Sequence, residues 1–79
     1  MRALCLITIK PGTIDNVTRL LSRKRKIAKE VLQVTGRADV CVLMQGTTDD
    51  INTSIMDFKK INSIMTTETL MEMEVDMGW

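Results

Sequence analysis

Val31 to Gln45 reads VLQVTGRADVCVLMQ, two apolar stretches joined through Gly36-Arg37-Ala38-Asp39. The downstream stretch, Asp39 to Gln45, is β-branched or apolar at nearly every position, as expected of a strand covered on both faces. Upstream, Ile27 to Thr35 sets Ala28, Glu30, Leu32 and Val34 on one parity and Ile27, Lys29, Val31, Gln33 and Thr35 on the other. That is a half-buried strand of mixed character. It ends at Gly36, and Gly36 to Ala38 is short enough to be a hairpin connection.

The flanks of this hairpin resemble each other. Arg2 to Ile9 (RALCLITI) is a strand stopped by Lys10-Pro11-Gly12. Thr13 can cap a helix whose Ile14, Val17, Leu20 and Leu21 share a face, giving a helix from about Thr13 to Lys24. After the hairpin, Gly46-Thr47-Thr48-Asp49-Asp50 supplies N-cap chemistry and first-turn acids. Ile51, Ile55 and Phe58 then fall at i, i+4 and i+7, which predicts a helix over Thr48 to Lys60. Thr67 to Val75 alternates, with Met71, Met73 and Val75 opposite Glu72 and Glu74, and reads as the last strand. The order is βαββαβ. With right-handed crossovers the two βαβ halves interleave into a four-stranded antiparallel sheet, order 4-1-3-2, with both helices on one face. The expected class is α+β, ferredoxin-like, in one domain over residues 1–79.

Composition sets limits on function. The chain has 79 residues, 44% of them hydrophobic and 27% charged, in the range of ordinary globular domains. No apolar run approaches the roughly 18 residues of a membrane span and no signal pattern opens the chain, so a cytoplasmic location without membrane partners is expected. A net charge of +1 makes no general case for nucleic acid. The charges are nonetheless uneven: Arg19, Arg23, Lys24, Arg25, Lys26 and Lys29 cluster, and Glu68, Glu72, Glu74 and Asp76 crowd the other end. A solvated helix end accounts for the basic group. Cys5 and Cys41 lie in apolar runs, far apart, as reduced core residues rather than a C-x-x-C motif. With no His and no Tyr the commonest proton-transfer groups are missing. No catalytic residue, metal or cofactor is expected.

Two helices cover one face of such a sheet, yet the central strands are apolar on both. Ala3, Cys5, Ile7 and Ile9 oppose Leu4 and Leu6 in the first; Val40, Val42 and Met44 oppose Cys41 and Leu43 in the third. Whichever set meets the helices, the other leaves a large apolar patch, the usual mark of an interface. The expectation is a homodimer that packs open sheet faces together in dimeric α+β barrel fashion, with Leu4, Leu6, Cys41, Leu43, Met71 and Met73 as contact residues. The seven Met suit such adaptable contacts.

The strand order also gathers small polar groups at one sheet edge: Pro11 and Gly12, Gly36 to Asp39, and Thr67 to Thr69. Gly36 permits close backbone approach, Asp39 can accept from an ammonium group, and Thr hydroxyls can meet a carboxylate, a mixture that suits an amino acid zwitterion. The same residues are also explained by turn and strand chemistry alone.

Ile7 to Gly12 (ITIKPG), Val31 to Asp39 (VLQVTGRAD) and Thr67 to Glu72 (TETLME) stand in an order and spacing that resembles the ligand-binding, assembly (RAM) domain of the Lrp/AsnC feast/famine regulators. The resemblance covers nearly the whole chain. It implies a ferredoxin-like fold, sheet-to-sheet dimers, rings of dimers such as octamers or decamers, and an amino acid effector at subunit interfaces. In that family the Gly-to-Asp turn and the T-x-T strand line the effector pocket, which carries over to Gly36, Arg37, Ala38, Asp39, Thr67 and Thr69. The full regulators begin with a helix-turn-helix domain; here the first residues are the first strand, so the expectation is a stand-alone sensing and oligomerisation module that joins full-length regulators.

Three departures stand out. Arg37 and Ala38 replace the acidic or polar residue and aromatic common there, the Ile61 to Thr66 connection is short and lacks Pro-Gly, and the chain ends at Gly78-Trp79. Two other functions can be weighed. A dimeric α+β barrel enzyme of oxygenase or isomerase type uses His, Tyr, Asn or Trp, of which only Asn16, Asn52, Asn62 and Trp79 are present. A nucleic-acid-binding sheet needs stacking aromatics on its open face, and only Phe58 and Trp79 exist, so no direct nucleic acid binding is expected.

Overall fold

Six elements follow one another: β1 (Arg2–Ile9), α1 (Ile14–Ser22), β2 (Ala28–Gln33), β3 (Val40–Gln45), α2 (Thr48–Lys59) and β4 (Ile64–Met71). The computed structural model describes residues 1–24 and 26–73. Arg25 and the C-terminal Glu74, Val75, Asp76, Gly78 and Trp79 of the sequence reading lie outside the described residues. The strands form one sheet in the order β2-β3-β1-β4 with every neighbouring pair antiparallel, the ferredoxin-like α+β arrangement.

Both helices sit on the same face, because Val17 and Leu21 of α1 and Ile51 and Phe58 of α2 belong to one core cluster with Cys5, Ile7, Val40, Val42 and Met44. Phe58, Ile7, Leu21 and Met44 are its largest fully buried side chains. At roughly 25 cal/mol per Å² of apolar area removed from water, this face supplies the main driving force for folding.

The two helices start differently. Thr47 and Asp50 form a reciprocal capping box: the Asp50 amide donates to Thr47 Oγ1 at 3.1 Å and the Thr47 amide to Asp50 Oδ2 at 3.3 Å. Thr13, expected to cap α1, makes no side-chain cap bond. Its hydroxyl instead donates to the Lys10 carbonyl at 2.8 Å and closes the Pro11-Gly12 turn, where Gly12 holds φ at 85°.

The last strand departs most from the sequence reading. It spans Ile64–Met71 rather than Thr67 to Val75, because its limits are set by β1. Ile9 pairs with Ile64 past an irregularity, and Ala3 pairs with Met71. The Glu72 amide still reaches the Arg2 carbonyl at 2.9 Å, and β1 has almost no backbone beyond that to offer.

Candidate functional site: an open sheet face and a clamped turn

Register fixes what lies on the face away from the helices. Leu4 stands between Leu43 and Leu70, Leu6 between Cys41 and Glu68, and Leu32 beside Cys41. Leu4, Leu6 and Leu43 are half-buried, whereas Leu32 and Leu70 are 48% and 50% exposed. The apolar strip thus crosses all four strands, and both described helices lie on the other face. Of the six residues expected there, the structure brings together Leu4, Leu6, Cys41 and Leu43. Met71 lies opposite Ala3, on the helix side, and Met73 follows the end of β4 at 79% exposure. Leu32 and Leu70 take their places on the strip; Leu70 was hidden because its parity depends on the register of β4.

Two ion pairs border this strip. Arg2 Nε donates to Glu72 Oε2 at 2.6 Å, and Arg37 Nη2 to Glu68 Oε2 at 3.0 Å. Both are largely exposed and solvent-screened, so neither does much to hold the fold. Their effect is on shape and charge: Arg37 reaches from the turn between β2 and β3 across to Glu68 on β4, the residue paired with Leu6.

The Gly36 to Asp39 turn is tied down by Asp39. Gly36 has φ 115°, and a Cβ built there would meet nothing within 4 Å, so its backbone conformation is what selects glycine. The Val34 amide donates to the Asp39 carbonyl at 2.9 Å, and the Asp39 amide to the Ile7 carbonyl at 2.9 Å. The Ile9 amide then donates to Asp39 Oδ2 at 2.8 Å. The carboxylate takes the place of a strand carbonyl and carries the ladder to the end of β1. One oxygen of the group expected to bind a ligand is engaged in the protein itself. Ala38, its neighbour in the turn, is buried.

Thr67 and Thr69 are not at the start of β4 but within it, opposite Ile7 and Cys5 on the helix side. Thr69 Oγ1 lies 3.7 Å from Cys5 Sγ. Burial pushes the Cys5 thiol up, and the Thr69 contact offsets only part of that; burial also raises Cys41. Both cysteines are thus neutral thiols near pH 7. Thr67 borders a surface groove of about 320 Å³ that also touches Lys59, Ile64, Met65 and Thr66. A larger groove, about 420 Å³, runs along β2 at Lys29, Glu30 and Val31. Neither groove includes the Gly36 to Asp39 turn. Among the described residues, no cluster of three His, Cys, Asp or Glu side chains is placed to hold a metal, and no helix is long and apolar enough to cross a membrane.

No protein-family model matches the chain, and no curated protein matches it in sequence. Solved structures do. TTHA0845 from Thermus thermophilus superposes with a TM-score of 0.85 at 18% identity, covering 95% of each chain. FFRP-DM1 gives 0.83 at 24% identity over 91% of this chain and 97% of its own. MtbAldR gives 0.76 at 15% identity, and there the match covers 96% of this chain but only 54% of the larger one. At such identities the likeness is one of fold.

Proposed function

We propose that the chain is a non-catalytic regulatory module that assembles through its open sheet face and senses a small amino acid where subunits meet. The observation that carries this reading is the apolar strip of Leu4, Leu6, Leu32, Leu43 and Leu70, which no described element of the chain covers. The structural neighbours include the FFRP and AldR transcription regulators, which supports a regulatory role. In this reading the protein is a homodimer that builds rings of dimers, meets full-length regulators of its own type, and does not itself bind DNA.

The sensing edge is the Gly36 to Asp39 turn with its neighbours on β4. Asp39 shapes the turn through Ile9 with one oxygen and keeps the other for the ammonium group of a zwitterion, while Arg37, on leaving its pair with Glu68, meets the carboxylate. Thr67 and Thr69 contribute from the helix side of the same strand.

Light scattering and titration calorimetry, run with each of the twenty amino acids, test both halves. The expected result is a dimer or larger species without ligand, and both heat and a change in size with at least one amino acid. No heat and no change in size for any of them would sink the sensing half; a monomer throughout would sink the assembly half.

A further inference from the structure

The side of α1 turned away from the core has a chemistry of its own. Val17 and Leu21 point inward, while Asn16, Arg19, Leu20 and Arg23, at i, i+3, i+4 and i+7, line a shallow groove of about 260 Å³. Leu20 is 43% exposed at its centre. A second groove of about 230 Å³ begins at the same Arg23 and runs between the end of α1 and α2, with Lys24 and Lys26 on one side and Ser54 and Asp57 on the other.

The cations here have no acidic partner among the described residues. Among the described residues the ion pairs engage Arg2, Arg37 and Lys60, and none engages Arg19, Arg23, Lys24 or Lys26. Asp57, the acid that lines the second groove, is held by Lys60 at 3.7 Å. A helix C-terminus carries only about half a unit of negative charge, which a single cation offsets. Four such cations exceed that requirement and leave a local positive field at this end of the molecule.

We propose that α1 and the turn after it form a docking surface for an acidic peptide segment of another protein, whose carboxylates pair with Arg19, Arg23, Lys24 and Lys26 while an apolar side chain packs on Leu20. Charge complementarity selects an acidic occupant, and Leu20 selects a peptide. A phosphate backbone would use the cations but leave Leu20 without a contact, and Phe58, the one aromatic among the described residues, is buried and cannot stack on a base. The helix layer is the opposite side of the molecule from the open sheet face, so this surface stays available in a face-to-face dimer, and the inference does not rest on that dimer.

The test is fluorescence anisotropy with a labelled synthetic peptide carrying one Leu flanked by Asp and Glu, against a control with Lys in place of the acids. Binding to the acidic peptide alone is expected. It should weaken about tenfold in Arg19→Glu and in Arg23→Glu, since reversed charges at a recognition surface act strongly at low salt. It should weaken about threefold in Leu20→Ser and roughly tenfold between about 50 and 300 mM salt. Arg2→Glu, on the open face of the sheet away from the helices, should leave it within about twofold. Because all these positions lie at the surface, circular dichroism should show each variant folded. Absence of binding, equal binding of the basic control, indifference to both Arg reversals, or preference for a DNA duplex over the peptide would each overturn the proposal.

Discussion

The two faces of this sheet are built from the same strands and nearly the same residue types, yet they differ in what covers them. Under the helices, Cys5, Ile7, Val40, Val42 and Met44 are wholly buried. On the other side Leu4, Leu6 and Leu43 are shielded only in part, and Leu32 and Leu70 stand half in water. An apolar residue therefore has two uses here. On the covered face it makes the fold; on the open face, under the proposed function, it makes the assembly. Substitutions that affect one property without the other separate these roles.

The largest expected effect is on the covered face. Phe58→Ala removes the largest fully buried side chain and leaves a cavity under the sheet, at a cost of about 3–5 kcal/mol. Urea unfolding should show it as a lower midpoint. A smaller effect is expected at Asp39, which joins the turn to β1. Asp39→Ala strands the Ile9 amide and should cost about 1–3 kcal/mol, whereas Asp39→Asn keeps an acceptor oxygen and should recover most of that. Equal losses in the two variants would mean that the carboxylate charge, not the ladder bond, matters.

The smallest effect concerns pH. Burial raises the Cys5 thiol in the folded chain, with Thr69 partly opposing it. A group whose folded pKa is raised contributes stability below its unfolded value and loses it as pH climbs through the folded one. Stability should thus decline with pH above roughly 8.5, the ordinary thiol range, and the decline should be shallower in Cys5→Ala. A slope identical in both proteins would place the pH dependence elsewhere.

Much of the contrast between the faces is readable in the sequence, and the exceptions share a cause. Double-sided apolarity in RALCLITI and DVCVLMQ is a property of single strands and is readable without coordinates, but that Leu4, Leu6, Cys41 and Leu43 are the open set follows only from where the helices pack. The bounds of β1 are equally readable, because Lys10-Pro11-Gly12 stops it locally. What fails depends on partners far along the chain. The Met-Glu alternation after Leu70 looks like a strand, but β1 reaches only to Arg2 beside Glu72, so β4 ends at Met71, and the register with Ala3 puts Met71 on the helix side. Thr67 and Thr69 then move from an edge to the middle of a strand. Asp39 stands out in the turn, yet nothing local says that its carboxylate is spent on Ile9. Thr13 and Thr47 both read as helix caps, and only Thr47 has an acid three residues on to complete the box.

If a second copy of the chain closes the open face, sedimentation of the wild-type protein beside Leu43→Lys will show it directly. Leu43 lies mid-strip, paired with Leu4 on one side and Glu30 on the other, and is only half-buried. A Lys there should leave the covered core intact while placing a charge in the contact. The wild-type species should then sediment at twice the 8.9 kDa chain mass or a multiple of it, and Leu43→Lys as a folded single chain. A wild-type protein that sediments as a single chain, or a variant whose assembly is unchanged, would contradict closure by a second copy.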